Sequence, residues 1–147
     1  MPFTGNYVTN TYKNGLNTGS FNLGTGTTQV FKIALYTNSA SLDYSTTAYT
    51  TTGEVTDAGY TAGGSTLTIS QVPTVGSSGT TSYYSFSNVS WSGAITARGA
   101  LIYLSNGGTN PAMIVLDFGS DKTSTTTFSV QFPAATNTTA KIGRAHV

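Results

Sequence analysis

The chain offers few side chains for acid–base chemistry. Its 147 residues include five carboxylates, one histidine and no cysteine. Glu54 and Asp57 are close in sequence, as are Asp117 and Asp121, and a glycosidase needs two carboxylates that face each other across a sugar cleft. The alternative is that these side chains bind backbone N–H groups in turns. Because no flanking residues support a catalytic pair, we favour the turn interpretation.

Nucleophilic and zinc chemistry lack their usual residues. The histidine, His146, falls within the final segment Ile142–Val147 (IGRAHV), which matches one reading frame of a common sequencing adapter and is predicted to be an artefact. Without His146, no Ser-His or Cys-His pair and no ordinary zinc site can be built. A calcium site at residues 119–121 is conceivable, but the EF-hand spacing is absent. We therefore expect no enzymatic activity and no cofactor.

Composition argues against further classes of protein. Charged residues are 7% of the chain, against about 25% in an average soluble domain. Removing Arg144 with the predicted artefact leaves five basic and five acidic residues. A net charge near zero gives no electrostatic footprint for nucleic acid. No apolar run approaches the roughly 20 residues that span a bilayer, and no signal peptide opens the chain. We expect no nucleic-acid or membrane partner.

Most of the chain has the two-residue apolar period of β-strands. Thr, Ser and Gly account for 63 of 147 residues, and the β-branched Thr side chain suits a pleated sheet. We predict an all-β fold, an antiparallel, jelly-roll-like β-sandwich over residues 28–141. The predicted strands are Thr28–Thr37, Ser65–Val72, Thr81–Trp91 with a bulge near Asn88, Ile95–Leu104, Ala112–Phe118 and Thr125–Phe132.

Three details of these strands are predicted from the pattern. Pro73 is expected to end the strand that precedes it. The alternate residues from Ile95 to Tyr103 are expected to share one face of their strand. Ala112–Phe118 is nearly all apolar, which is typical of a strand covered on both faces. Trp91 is assigned to the core.

Residues 1–27 have a different character from the rest. They are rich in Asn and Gly, which are poor helix formers. Val8, Tyr12 and Leu16 recur at a spacing of four, which places them on one helical face. We predict a short N-terminal arm or a marginal helix that ends near Gly19, and an arm of this kind would order on binding a partner.

The polar stretch 38–64 is too long for an ordinary hairpin loop. Its tyrosines Tyr44, Tyr49 and Tyr60 are predicted to form a contact surface, since Tyr combines apolar area with a polar tip. Arg98 is the one cation inside a strongly patterned strand. It is either an exposed residue on the outer face or a buried or interfacial partner for Asp117 or Asp121, and the sequence leaves both open.

Four segments, in order along the chain, resemble a family of small virion proteins of tailed bacteriophages, some of which look like capsid cement or decoration proteins. The resemblance covers about residues 7–141. The segments are Phe31–Thr37 (FKIALYT) with Ser45–Tyr49 (STTAY), Gly53–Val55 with Gly59–Gly64 (GEV and GYTAGG), Thr96–Tyr103 (TARGALIY), and Val115–Lys122 (VLDFGSDK).

The resemblance implies a β-sandwich on the outer capsid surface, assembled in the host cytoplasm. Its partners would be the major capsid protein and two further copies of itself in a homotrimer, and it would have no enzymatic activity and no cofactor. The candidate interface residues are then Tyr12, Leu16, Tyr44, Tyr49, Tyr60 and Arg98. The alternative is a tail or fibre module that binds host-surface glycans through aromatic side chains on its loops.

Overall fold

The computed structural model describes residues 3–76, 79 and 81–133, so the predicted adapter segment lies outside the described residues. This part of the chain contains nine strands and one short helix, which agrees with the predicted all-β class. The elements are β1 (Tyr7–Val8), α1 (Asn10–Thr18), β2 (Val30–Tyr36), β3 (Ser65–Thr66), β4 (Ile69–Val75), β5 (Ser82–Phe86), β6 (Val89–Ser92), β7 (Ile95–Ser105), β8 (Ala112–Ser124) and β9 (Thr127–Val130).

The strands form one large antiparallel sheet and two small ones. The large sheet has the order β1-β8-β7-β2-β3, and the pairs β4-β5 and β6-β9 form the small sheets. In the antiparallel pair of β2 and β7, the register runs from Val30 opposite Ser105 to Tyr36 opposite Gly99. The prediction of an all-β, antiparallel, sandwich-like fold with a short helix is confirmed.

Both faces of the large sheet are covered. On one face, alternate residues of β2 and β7 pack with the small sheets and the helix in a core that includes Phe31, Ile102, Trp91 and Tyr12. On the other face, a second cluster combines the remaining strand residues with the N-terminal segment and the loop after β2. This double cover explains why residues 112–116 of β8 are all buried, as the apolar run predicted.

The predicted strand Thr81–Trp91 is two strands, so the prediction of one bulged strand is wrong. β5 pairs with β4, and β6 pairs with β9 in another sheet. Between them the side-chain oxygen of Asn88 accepts a hydrogen bond from the Phe132 backbone N–H at 2.8 Å. The parity change at Asn88 therefore marks the point where the chain passes between sheets.

The irregularity lies between β7 and β8 instead. Their register shifts between Ala97 and Gly99, where one residue of β7, Arg98, lies opposite four residues of β8, 118–121, and the buried side chains of β7 change face at this point. As a result Ala97 belongs to the first core cluster, whereas Leu101 and Tyr103 belong to the second. The prediction that alternate residues from Ile95 to Tyr103 share one face is wrong for this reason. Pro73 also lies within β4 and does not end it.

The N-terminal segment is part of the sandwich. β1 pairs with β8, and the rings of Phe3 and Tyr12 are 2% and 1% exposed. The predicted short helix is confirmed: Thr9 caps its start by accepting from the Tyr12 N–H at 3.1 Å, and Gly19 ends it with φ 74°. The expectation of a separate arm is wrong, because this segment supplies buried apolar rings to both core clusters.

Candidate functional site

Glu54 is the centre of a buried cluster that fixes the long loop 38–64 to the sheet. Its side chain accepts hydrogen bonds from the Tyr60 hydroxyl at 2.6 Å, the Tyr49 hydroxyl at 2.7 Å and the Gly63 N–H at 2.7 Å. The residue is 6% exposed. Three donors compensate the cost of burying the carboxylate, so this side chain is held in a structural position.

The cluster extends to the sheet through further tyrosines. The Tyr60 hydroxyl oxygen accepts from the Leu35 N–H at 3.0 Å, while the Tyr103 hydroxyl donates to the Gly63 carbonyl at 2.8 Å. The rings of Tyr49 and Tyr103 stack with centroids 4.7 Å apart. Two turns of the loop are thereby joined to β2 and β7.

Burial raises the pKa of these hydroxyls. Desolvation, followed by the charge on Glu54, raises the pKa of Tyr103 to about 12. Desolvation and the hydrogen bond to Glu54 raise the pKa of both Tyr49 and Tyr60 above the ordinary value, and desolvation with the charge of Glu54 does the same for Tyr36. In each case the neutral hydroxyl is the form that the fold accommodates.

We expect the free energy of unfolding to fall as the pH rises above about 10. In that range the unfolded chain loses tyrosine protons that the folded chain retains, so proton loss favours unfolding. Urea denaturation at a series of pH values from 9 to 12, followed by circular dichroism, measures this slope. The variant Tyr103→Phe should have a shallower slope, and an equal slope in both proteins would contradict the role of this hydroxyl.

Asp43 and Asp57 also bind backbone groups of the fold. Asp43 accepts from the Ser45 N–H at 2.7 Å, and Asp57 accepts from the Thr96 N–H at 2.8 Å. The Asp43 contact is the turn role that the sequence favours, whereas Asp57 binds a strand that lies 39 residues away in the sequence. Within residues 3–76, 79 and 81–133, no group of three or more acidic or histidine side chains could hold a metal ion.

Arg98 is the ion-pair partner of Asp117. Its Nε atom lies 3.0 Å from the carboxylate, and the two side chains are 19% and 11% exposed. Asp117 also accepts from the Gly119 N–H at 2.8 Å. Of the two alternatives for Arg98, the partially buried pair is the one observed, at the register shift between β7 and β8.

Of the six candidate interface residues, two are buried, two are half-buried and two are exposed. Tyr12 and Tyr60 are buried, so the prediction that they present a contact surface on their own is wrong, and Tyr49 is half-buried in the Glu54 cluster. Tyr44 is 53% exposed and contacts the ring of Tyr7 edge to face at 5.9 Å. Leu16 is 46% exposed, and Arg98 is largely covered by its ion pair.

Tyr12 and Leu16 meet at a cleft between α1 and the β4-β5 sheet. We call this the apolar cleft; it has a volume of about 310 Å³ and is lined by Tyr12, Leu16, Phe21, Leu23, Pro73 and Tyr84, with smaller contributions from neighbouring residues. The hydroxyls of Tyr12 and Tyr84 hydrogen-bond to each other at 3.1 Å. Tyr12 and Leu16, which the spacing placed on one helical face, both line this cleft, whereas Val8 lies in β1 and outside the helix.

Leu16, at 46% exposure, is the exposed aliphatic side chain in the lining of the apolar cleft. β4 continues past Pro73 to Val75, which at 66% exposure is the most exposed large apolar side chain of the described residues. No residue that lines the cleft is charged. An uncharged concave surface with apolar edges suits contact with another neutral surface, since little charge must be desolvated.

The sequence did not predict the β4 side of this cleft. Pro73 comes at the end of a stretch of alternating apolar residues, and a proline at such a place is an ordinary signal for the end of a strand. Only the tertiary fold brings Pro73 beside Tyr12 and Leu16 of α1. The single local signal was the proline itself, because prolines in sheets favour exposed edges.

Among the described residues, the helix is too short to cross a membrane.

Comparisons with other proteins add no assignment. No protein-family model, no curated protein and no solved structure matches the chain significantly.

Proposed function

We propose that this chain is a structural protein of a tailed-bacteriophage virion that binds the outer surface of the capsid as a decoration or cement protein. The resemblance of its four ordered segments to such proteins supports the assignment. The observation in the structure that carries the proposal is the uncharged apolar cleft beside α1. The proposal includes no catalytic step.

The distribution of charge supports binding to a protein surface of neutral character. Glu54 is buried, and Arg98 and Asp117 neutralise each other. Asp57 is bound to a backbone N–H group. The remaining surface is covered mainly by Thr, Ser and Asn side chains, which keep the free protein soluble without strong electrostatic repulsion between copies.

The apolar cleft is the proposed contact with the major capsid protein. An aliphatic or aromatic side chain of the capsid would enter between Leu16 and Pro73 and bury the exposed part of Leu16. Central apolar anchors of this kind dominate the energy of protein interfaces. The half-exposed rim then supplies the surrounding contacts.

Replacement of Leu16 by Asp is expected to weaken capsid binding by more than tenfold, because a carboxylate would have to be desolvated at the contact. Binding is measured by co-sedimentation with capsids purified from a phage that lacks this gene. Asn17→Asp, on the same helix but outside the lining of the cleft, is the matched control and should bind nearly as the wild type does. Equal loss in both variants would remove the cleft from the interface.

The head assignment and the trimer have their own tests. Immunogold labelling of virions separates the capsid surface from the tail, and label on the tail would favour the glycan-binding module instead.

Sedimentation velocity of the free protein separates one chain of 15.2 kDa from a trimer of about 46 kDa. A monomer in solution that forms trimers only on capsids would be consistent with the proposal, whereas monomers on the capsid would contradict the trimer.

A further inference from the structure

A second cleft lies on the opposite side of Phe21, between α1 and the turn 106–111. We call it the polar cleft, and its volume is about 370 Å³. Phe21, Leu104 and Pro111 provide its apolar part. Polar side chains of α1 and of the turn line the rest, so apolar and hydrogen-bonding groups converge on one space.

Helix α1 presents a row of polar side chains to this cleft. Thr11, Asn14 and Thr18 are separated by three and four residues, so they lie on one helical face. Thr18 donates within the helix and pairs with Ser20 at 2.9 Å. Among the described residues, the Thr11 hydroxyl and the Asn14 side-chain amide have no hydrogen-bond partner. These two groups are free to bind a ligand.

The turn on the other side is held in place by its own hydrogen bonds. The Asn106 side-chain oxygen accepts from the N–H groups of Gly108 at 3.0 Å and Asn110 at 2.9 Å. Its amide donates to the Thr109 hydroxyl oxygen at 3.2 Å, which leaves the Thr109 proton directed elsewhere. A wall that is already ordered loses little conformational entropy when a ligand binds.

From this arrangement we infer that the polar cleft binds a neutral saccharide. A sugar ring has a C–H face that packs on apolar side chains and hydroxyl groups at its edge that both donate and accept hydrogen bonds. The Asn14 amide donates and accepts, and the hydroxyls of Thr11 and Thr109 do the same. The volume is within the range of small-molecule sites.

The absence of charge in the lining selects between ligand classes. None of the residues that line the polar cleft is charged, so an acidic or phosphorylated sugar would lose hydration without gaining a counter-charge. A wholly apolar ligand would leave Thr11 and Asn14 without partners while removing them from water. A neutral sugar satisfies both conditions. This inference does not depend on the capsid assignment, because either a head or a tail protein could carry the site.

Saturation-transfer-difference NMR on the full chain tests the inference. The probes are methyl β-D-glucoside, methyl β-D-galactoside, N-acetylglucosamine, N-acetylgalactosamine and the disaccharides lactose and maltose, with D-glucuronate as the charged comparison. We expect at least one neutral probe to receive saturation transfer and to bind more tightly than D-glucuronate. Titration of that probe, followed by amide chemical shifts, then gives the dissociation constant.

Two variants on α1 locate the site. Asn14→Ala removes one unpaired amide from the cleft and is expected to weaken binding roughly three- to tenfold, the effect of one lost hydrogen bond. Asn17→Ala is the matched control, because Asn17 is exposed on the same helix but does not line the cleft, and it should leave binding unchanged. Thermal unfolding of both variants verifies that the fold is retained.

Three outcomes would overturn the inference. They are saturation of none of the neutral probes at millimolar concentration, equal or tighter binding of D-glucuronate, and equal effects of the two Asn variants. Each is independent of capsid binding, so loss of capsid contact in the Leu16→Asp protein with normal sugar binding would separate the two sites. Loss of sugar binding in the Asn14→Ala protein with normal capsid binding would also separate the two sites.

Discussion

Deletion of residues 3–9 is expected to lower the free energy of unfolding by on the order of 5 kcal/mol, the combined cost of a lost core ring and a lost helix cap. Phe3 is 2% exposed and occupies space beside Gly99, where a Cβ atom would overlap its ring. Thr9 is fully buried and caps α1. Since a whole domain is stable by about 5–15 kcal/mol, this loss removes roughly a third or more of the stability of the fold.

Urea denaturation followed by circular dichroism measures this loss. Phe3→Ala isolates the contribution of the ring and should cost about 3–5 kcal/mol. Leu16→Ala is the control for the same N-terminal region, because this side chain is 46% exposed, and it should change stability by less than about 1 kcal/mol. An unchanged unfolding midpoint after deletion of residues 3–9 would restore the interpretation of this segment as a dispensable arm.

Substitution of Glu54 by Ala is expected to destabilise the fold by about 3–5 kcal/mol. The change removes the acceptor of three hydrogen bonds and leaves the Tyr60 hydroxyl and the Gly63 N–H inside the protein without that partner. It also removes the partner of Tyr49. The loop 38–64, which covers the second face of the large sheet, should therefore open before the rest of the chain.

Hydrogen exchange of the backbone N–H groups tests where the fold opens, and urea denaturation measures by how much. Glu54→Gln keeps the size of the side chain and one accepting oxygen, so it should cost less than Glu54→Ala. Asp43→Ala removes only a turn contact near the surface and should cost less than about 1 kcal/mol. Equal costs for Glu54→Ala and Asp43→Ala would mean that the Glu54 cluster does not stabilise the loop.

The strands were predictable because their signal is local. Val30–Tyr36 alternates as a strand does, and the apolar run of Ala112–Phe118 specifies a strand with both faces buried. What escaped prediction depends on pairing between distant segments. The register shift at Arg98 exists only relative to β8, and the passage between sheets at Asn88 exists only relative to the partners of β5 and β6.

The candidate site was predictable to a smaller degree. Helical spacing related Tyr12 to Leu16, but it could not supply Pro73 from a strand more than fifty residues away. The exposure of the three loop tyrosines could not be predicted from their sequence either. Tyr44, Tyr49 and Tyr60 are the same residue type in one polar stretch, and the position of a single carboxylate, Glu54, decides which of them are withdrawn from the surface.

The margins of the large sheet have a consequence for how copies of the chain associate. Both margins are two-residue strands, β1 at one side and β3 at the other. Beyond β1, the Asn6 side chain accepts from the Asp117 N–H at 2.8 Å, which occupies a donor that a passing strand would need. Long unpaired strand edges promote uncontrolled polymerisation. With two-residue strands at both margins, this sheet offers little edge for strand pairing between copies, and association between chains is left to the surfaces made by side chains.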